Sequence, residues 1–281
     1  MERILVTGAN GQLGSELRVI AKKYSNYEWV FADRTKITLD DLDLLQTQLE
    51  EIKPNIIFNC GAYTAVDKAE TEKELAFKVN HLAVELIAKY ALENNAKLIH
   101  ISTDYVFDGE SSVALSEEAI TNPINVYGES KRAGEIACLK ENPNSIIIRT
   151  SWVYSKFGNN FVKTMQQLMQ ERDEINVVND QIGSPTYAAD LAKAMIDILE
   201  SAEWIPGIYN YSNEGEISWY EFALRIKELG GYSCNVGGIP SASYPTPARR
   251  PEFSLLDKKK IMRIYNLEIP NYKESLKKMF R

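Results

Sequence analysis

A glycine-spaced turn set between an apolar run and an amphipathic segment restricts this chain more than any other feature. Ile4-Leu5-Val6 reads as a short buried strand, and Thr7-Gly8-Ala9-Asn10-Gly11-Gln12-Leu13-Gly14 leads directly from it into a helix expected to reach about Tyr24. Gly8, Gly11 and Gly14 fall at every third position, where the missing side chains let the backbone approach a pyrophosphate. The charge of such a group would be met by the free amides and the dipole of the helix beginning near Gln12. Gly8, Asn10, Gly11, Gln12 and Leu13 are therefore the expected dinucleotide contacts; a tight strand–helix turn without a ligand is the alternative.

A second apolar run, Trp29 to Ala32, ends at Asp33, about where a carboxylate binds the adenosine ribose hydroxyls and so favours NADH. Arg34 follows immediately and could pair with the extra phosphate of NADPH, which leaves both cofactors open. Leu39-Asp40 is expected beside the adenine, although Asp40 and Asp41 serve equally as caps for a helix running to Ile52. After the strand Ile56 to Asn59, the stretch Ala62-Tyr63-Thr64 should lie at the carboxyl end of the sheet, the rim where cofactors bind. Asp67 and Glu70 are expected to cap the helix that follows.

Apolar runs at 4–6, 29–32, 56–59, 97–102, 145–149 and 175–178 read as strands. Amphipathic segments at 12–24, 41–52, 72–94, 127–141, 161–170 and 188–201 read as helices between them. The alternation implies an α/β protein with a Rossmann-type doubly wound parallel sheet. Residues 1–150 are expected to form the NAD(P)-binding domain, to which later segments at about 175–200 return. Residues 151–281, loop-rich between Gly230 and Pro251, are expected to be mainly a smaller C-terminal α/β substrate domain.

With 281 residues, 44% of them hydrophobic, the chain can build an adequate core, and no uninterrupted apolar run approaches the ~20 residues of a membrane helix. It is read as cytoplasmic. The net charge of -7 argues against a broad nucleic-acid or anionic-membrane surface. Any anionic ligand then needs a local basic pocket, for which Arg249-Arg250 is preferred over Lys258-Lys259-Lys260. Cys60, Cys138 and Cys234 are odd in number and far apart, as reduced core thiols are; His81 and His100, the only histidines, belong to no ligand cluster and read as structural. No metal site is expected.

The chemistry is carried by Tyr127-Gly128-Glu129-Ser130-Lys131, which places a phenol and an ammonium on one helical face. Tyr127 would donate a proton to a carbonyl oxygen as hydride reaches the carbon, while Lys131 favours the phenolate and holds the nicotinamide ribose. Ser102-Thr103 ends a strand, and either hydroxyl could hydrogen-bond the reacting carbonyl.

These motifs resemble the extended short-chain dehydrogenase/reductases and, within them, the dTDP-4-dehydrorhamnose reductases. The general signatures are 7–14, 62–70, 102–109 and 127–131; the more specific ones are Arg149 to Tyr154, Asp180 to Thr186 and Arg249 to Asp257. The resemblance implies NADH- or NADPH-dependent reduction of the 4-keto group of dTDP-4-dehydro-L-rhamnose to dTDP-L-rhamnose, the last step of dTDP-rhamnose biosynthesis. By the same resemblance Tyr127 is the proton donor, Lys131 orients the nicotinamide, and Thr103 binds the reacting oxygen. Asp104 and Trp152 then line the sugar site, and Asn160, Arg249 and Arg250 reach the nucleotide diphosphate. A 4,6-dehydratase would carry Glu after the Asp, where this chain has Tyr105. Another sugar-nucleotide 4-ketoreductase, an epimerase, and a non-catalytic NADP-binding regulatory subunit are the alternatives. Some reductases of this group hold magnesium between subunits with acidic side chains. Glu16 and Asp190 occupy such places, but the tail 271–281 offers only Glu274, so a monomer or weak homodimer without interfacial magnesium is expected.

Overall fold

The computed structural model describes residues 1–281. Its centre is a six-stranded, all-parallel sheet. Five of the strands are β1 (Glu2–Thr7), β2 (Tyr27–Ala32), β3 (Ile56–Asn59), β4 (Lys97–Thr103) and β5 (Ile146–Thr150). The strand Gly207–Tyr211 adds to β5 and gives the order Gly207–Tyr211, β5, β4, β3, β1, β2. The order reverses between β1 and β3, and that reversal opens a crevice at the carboxyl ends of the strands.

Continuous apolar runs suit these central strands because both faces are covered. Alternate side chains divide between two cores: Ile4, Val6, Ile56, Phe58, Ile146 and Ile148 pack on one face. Leu5, Ile57, Leu98 and Ile147 pack on the other. The first core is closed by α1 (Gln12–Ile20) through Leu13 and Leu17, by the helix Ala188–Glu200, and by Ile261, Tyr265, Leu267 and Ile269 near the C-terminus. The second is closed by α2 (Leu42–Ile52), capped by Asp41, and by the helix Ala83–Glu93. Removing one such side chain, as in Leu5→Ala, costs about 2–5 kcal/mol.

A third core, around Tyr154, Val162, Phe222, Ile226 and Leu276, belongs to a lobe made almost entirely by residues after 150. Here the structure departs from the expected elements. Residues 174–178 do not return to the main sheet; Glu174–Val178 pairs in parallel with Asn235–Ile239 inside this lobe. The sequence between those strands supplies instead the sixth sheet strand and the helix Trp219–Gly230. That helix opens on a capping box, Ser218 with Glu221, a local signal present in the sequence. The stretch 230–251 is not all loop, since it contains Asn235–Ile239. Two further helices, Lys259–Tyr265 and Tyr272–Met279, end the chain.

Two helices also differ in form. The first ends at Ile20, followed by a 3-10 turn over Ala21–Lys23. The expected helix over 72–94 is Lys73–Phe77, a π turn over Lys78–Leu82, then Ala83–Glu93. The widened turn turns Asn80 inward, where its Nδ2 donates to the Tyr63 carbonyl and Ser130 Oγ, both at 3.0 Å, and its Oδ1 accepts from Tyr63 N. Gly134 lies against the Asn80 carbonyl, where any side chain would collide with backbone. No helix is long and apolar enough to cross a membrane.

Candidate active site

A cleft of about 980 Å³ lies along the carboxyl ends of β1 to β4. Its floor is a meeting of backbones. Gly8 has φ +64°, and a Cβ there would stand 2.8 Å from the Cα of Gly61, the second residue beyond β3. Thr7 Oγ1 accepts from Gly61 N at 2.9 Å and so joins the two strand ends across the switch point. The N-terminus of α1 is capped only by Gly11, with no side-chain hydrogen bond and no acidic residue in its first turn. These free amides suit a pyrophosphate, so the residues fit the dinucleotide that the glycine spacing predicts.

The cofactor residues expected from sequence all line this one cleft: Gly8, Asn10, Gly11, Gln12 and Leu13; Asp33, Arg34, Leu39 and Asp40; Ala62, Tyr63 and Thr64; Tyr127 and Lys131. Asp33 Oδ1 accepts from Thr35 N and Oγ1, and its Oδ2 from Asn10 Nδ2 at 3.3 Å. Those bonds hold its carboxyl below the usual carboxylate range.

Tyr127 stands at the start of the helix Val126–Glu141, whose position is fixed from three sides. Asn125 caps it by accepting from Gly128 N at 2.8 Å and donates to the Arg249 carbonyl at 2.7 Å. Glu70 accepts from Val126 N at 3.0 Å. Gly128 is required because a side chain would collide with the Tyr105 carbonyl. Arg149 adds a buried two-point ion pair to Glu135 at 2.7 and 2.8 Å, which ties the helix to β5. Burial pushes the Tyr127 phenol up to about 12, against the opposing hydrogen bond of Thr103. A group so raised stays protonated at neutral pH and is available as an acid.

The hydroxyl pair divides. Ser102 donates to Glu135 Oε1 at 2.6 Å and is committed to the helix anchor. Thr103 accepts from Tyr105 N and donates to Asp104 Oδ1 at 3.0 Å. Asp104 is 2% exposed, its Oδ2 has no hydrogen-bond partner, and burial pushes its carboxyl up to about 6. Lys131, also buried, turns its Nζ to the Ile101 carbonyl at 2.6 Å and to His100 Nε2 at 3.5 Å. Burial pulls its ammonium down to about 8 although Glu135 opposes the change. Lys131 follows Tyr127 by one turn of the same helix and lines the same cleft, while the group opposing the phenol's rise is Thr103.

Across the cleft, Trp152 has φ +47°, a strained backbone for a bulky residue. Its indole stacks on Trp219 at 3.6 Å between ring centroids, and a Cβ on Gly183 would come within 2.9 Å of it. Trp219 and Gly183 touch Trp152 without lining the cleft, and neither was an expected site residue. The only hint was Gly183 in the 180–186 motif, because contacts between such distant segments have no local signature.

Three expected substrate residues do not line the cleft. Asn160 caps the helix Phe161–Glu171 and donates to the Ser155 carbonyl at 2.8 Å. Arg250 forms a two-point pair with Asp67 at 2.8 and 2.9 Å, while the exposed Arg249 contributes its carbonyl to Asn125. Asp67 also accepts from Ala248 N, so it fastens the 248–250 segment, and Glu70 serves the Tyr127 helix; neither caps the helix after them. Glu16 accepts from Ser155, and Asp190 from Asn213 and Ser275, all within the chain.

The sequence model described as RmlD substrate binding domain matches residues 1–281. A relative from Aggregatibacter actinomycetemcomitans named dTDP-4-dehydrorhamnose reductase is 41% identical over 99% of this chain and 98% of its own length. A solved dTDP-4-dehydrorhamnose reductase from Bacillus anthracis, in complex with NADP, superposes with a TM-score of 0.94 at 39% identity, covering 99% of this chain and 98% of that one. The same enzyme from Clostridium acetobutylicum gives 0.94 at 38%, with the same coverage. With the match running from the first residue to the last, and relatives aligned over nearly their whole length, this chain belongs to the RmlD substrate binding domain family.

Proposed function

We propose that this protein reduces the 4-keto group of dTDP-4-dehydro-L-rhamnose to dTDP-L-rhamnose, using NADPH or NADH. The observation that carries the reading is the convergence of Thr103, Tyr127 and Lys131 on the same cleft as the glycine turn. When bound there, the reduced nicotinamide supplies the hydride. Gly8, Gly11 and the amino end of α1 hold the pyrophosphate, and Asp33 with Arg34 takes the adenosine ribose or its phosphate. Tyr127 gives its proton to the sugar oxygen, and Thr103 hydrogen-bonds that oxygen. Trp152 and Asp104 bound the sugar. The sheet with its two covering layers is the cofactor domain, and the lobe around Tyr154 and Phe222 is the substrate domain. The protein works in the cytoplasm as a monomer or weak homodimer.

The test is oxidation of NADH and of NADPH with enzymatically generated dTDP-4-dehydro-L-rhamnose, with the sugar product identified, for wild type and Tyr127→Phe. Turnover to dTDP-L-rhamnose, reduced about 100-fold or more in the variant, is expected. Dinucleotide binding without turnover of any 4-keto sugar nucleotide would replace this reading with the regulatory one.

A further inference from the structure

Behind Lys131 runs a line of buried polar side chains that the packing of the sheet does not require. Thr7, Asn59, His100 and Lys131 come from β1, β3, β4 and the Tyr127 helix, with exposures of 0%, 1%, 0% and 2%. Thr7 Oγ1 accepts from Gly61 N at 2.9 Å and donates its one proton to Asn59 Oδ1 at 2.7 Å. Asn59 must therefore turn its NH2 towards His100 Nδ1, which lies 3.0 Å away. An amide NH2 only donates, so Nδ1 is the accepting nitrogen and the ring proton resides on Nε2. That N–H faces Lys131 Nζ at 3.5 Å. An ammonium has no lone pair to receive it. A neutral amine has one, and still keeps an N–H for the Ile101 carbonyl at 2.6 Å.

We propose that His100 is a positioning residue: with its tautomer set by Asn59 and Thr7, it favours the neutral amine of Lys131 and so lets this lysine release and regain a proton during turnover. The inference deepens the ketone-reductase reading and rests on it. The step is proton transfer alone. An N–H bond at Lys131 Nζ breaks, the O–H bond of the Tyr127 phenolate re-forms, the nitrogen lone pair accepts the His100 Nε2–H hydrogen bond, and solvent restores the ammonium. No electron moves and His100 keeps its proton throughout.

The surrounding charges fit this role. The other ionisable groups facing Lys131 are Cys60 beyond β3, Glu135 and Cys138 on its own helix, and Tyr127 one turn away. Burial keeps both thiols protonated well above their usual range. Glu135, the remaining anion, is already bound by Arg149 and Arg132. Burial, with Lys131 beside it, also holds His100 far below its usual pKa, so the ring stays neutral.

The chain has only two histidines, which makes the tautomer directly readable in wild-type protein labelled with 15N-histidine. Long-range 1H–15N spectra, assigned with His81→Gln, should show His100 neutral and protonated at Nε2 from pH 5.5 to 9; protonation at Nδ1 would overturn the proposal. Asn59→Asp puts a carboxylate against Nδ1, moves the ring proton there and leaves the Nε2 lone pair for the Lys131 ammonium. The alkaline limb of the kcat/KM pH profile, and the titration of Lys131 seen with 13C-lysine, should then move up by about one pH unit or more. Lower activity with both unmoved would reduce His100 to a packing role and sink the idea. Failure of the reductase reading looks different: wild type fails to turn over while the tautomer and the lysine titration remain measurable.

Discussion

On the sheet side of the cleft, Gly8, Asp33 and Gly61 stand at the ends of three adjacent strands, each held by backbone contacts or by hydrogen bonds to near neighbours. On the far side, Trp152 lines the cleft and is backed by Trp219 and Gly183, from segments outside the main sheet that two-residue strand pairs join and a ring stack fills. The sheet wall tolerates almost no added atom because backbone meets backbone. The opposite wall is a stack of rings, which can yield at modest cost. Rigidity where the cofactor is held and adaptability where the sugar is recognised should therefore be separable by mutation.

The largest effect is expected at Gly8. Alanine there must adopt a left-handed backbone and push against Gly61, together costing about 2–5 kcal/mol. Gly8→Ala should bind NADPH at least ~30-fold more weakly by calorimetry and melt at lower temperature. Dinucleotide binding as tight as wild type would show that the two strand ends are not rigidly opposed.

Asp104 sits where the walls meet and tests the cost of function. Its carboxyl titrates in the fold at about 6 against an ordinary 3.8, so the stability it allows below pH 4 is lost as pH rises to about 6. At pH 7.5 the buried carboxylate is a net cost of roughly 2–3 kcal/mol. Asp104→Asn should thus be more stable than wild type at pH 7.5, by denaturant unfolding, with the gain vanishing near pH 4, and less active. A variant equally stable at both pH values would mean the carboxylate is already well solvated.

The same division explains what could be read from the sequence. The glycine turn, Asp33 and the Tyr127–Lys131 pair are local patterns whose spacing is itself the chemistry, so the cofactor wall was legible. His100 was read as a structural histidine, because its polar neighbours, Asn59 on β3 and Lys131 on the Tyr127 helix, are distant in sequence and leave no local pattern. Residues 174–178 were misplaced for a related reason: an apolar strand does not carry the identity of its partner, here 235–239. The Gly207–Tyr211 strand was missed because Tyr, Asn and Tyr do not form an apolar run, although all three are buried.

Trp219 sharpens the contrast from the sugar side. Trp219→Leu keeps an apolar contact but removes the stack on Trp152, worth about 0.5–1.5 kcal/mol. KM for the sugar nucleotide should rise roughly 3- to 10-fold with NADPH affinity unchanged. If both constants move together, the two walls are mechanically coupled and the comparison fails.

The smallest effect is expected from Arg250. Its pair with Asp67 fastens the 248–250 segment to the short helix Val66–Ala69, but the two side chains are 23% and 41% exposed, so solvent screens much of the attraction. Lys at this position keeps the charge and loses the two-point geometry. Arg250→Lys should lower stability by less than about 1 kcal/mol and leave KM within about twofold of wild type, because the guanidinium is turned to Asp67 and does not line the cleft. A tenfold rise in KM with unchanged stability would mean that Arg250 leaves Asp67 for the sugar-nucleotide diphosphate when substrate binds. The substrate wall would then include a charge that changes partners, in contrast to the fixed hydrogen bonds of the cofactor wall.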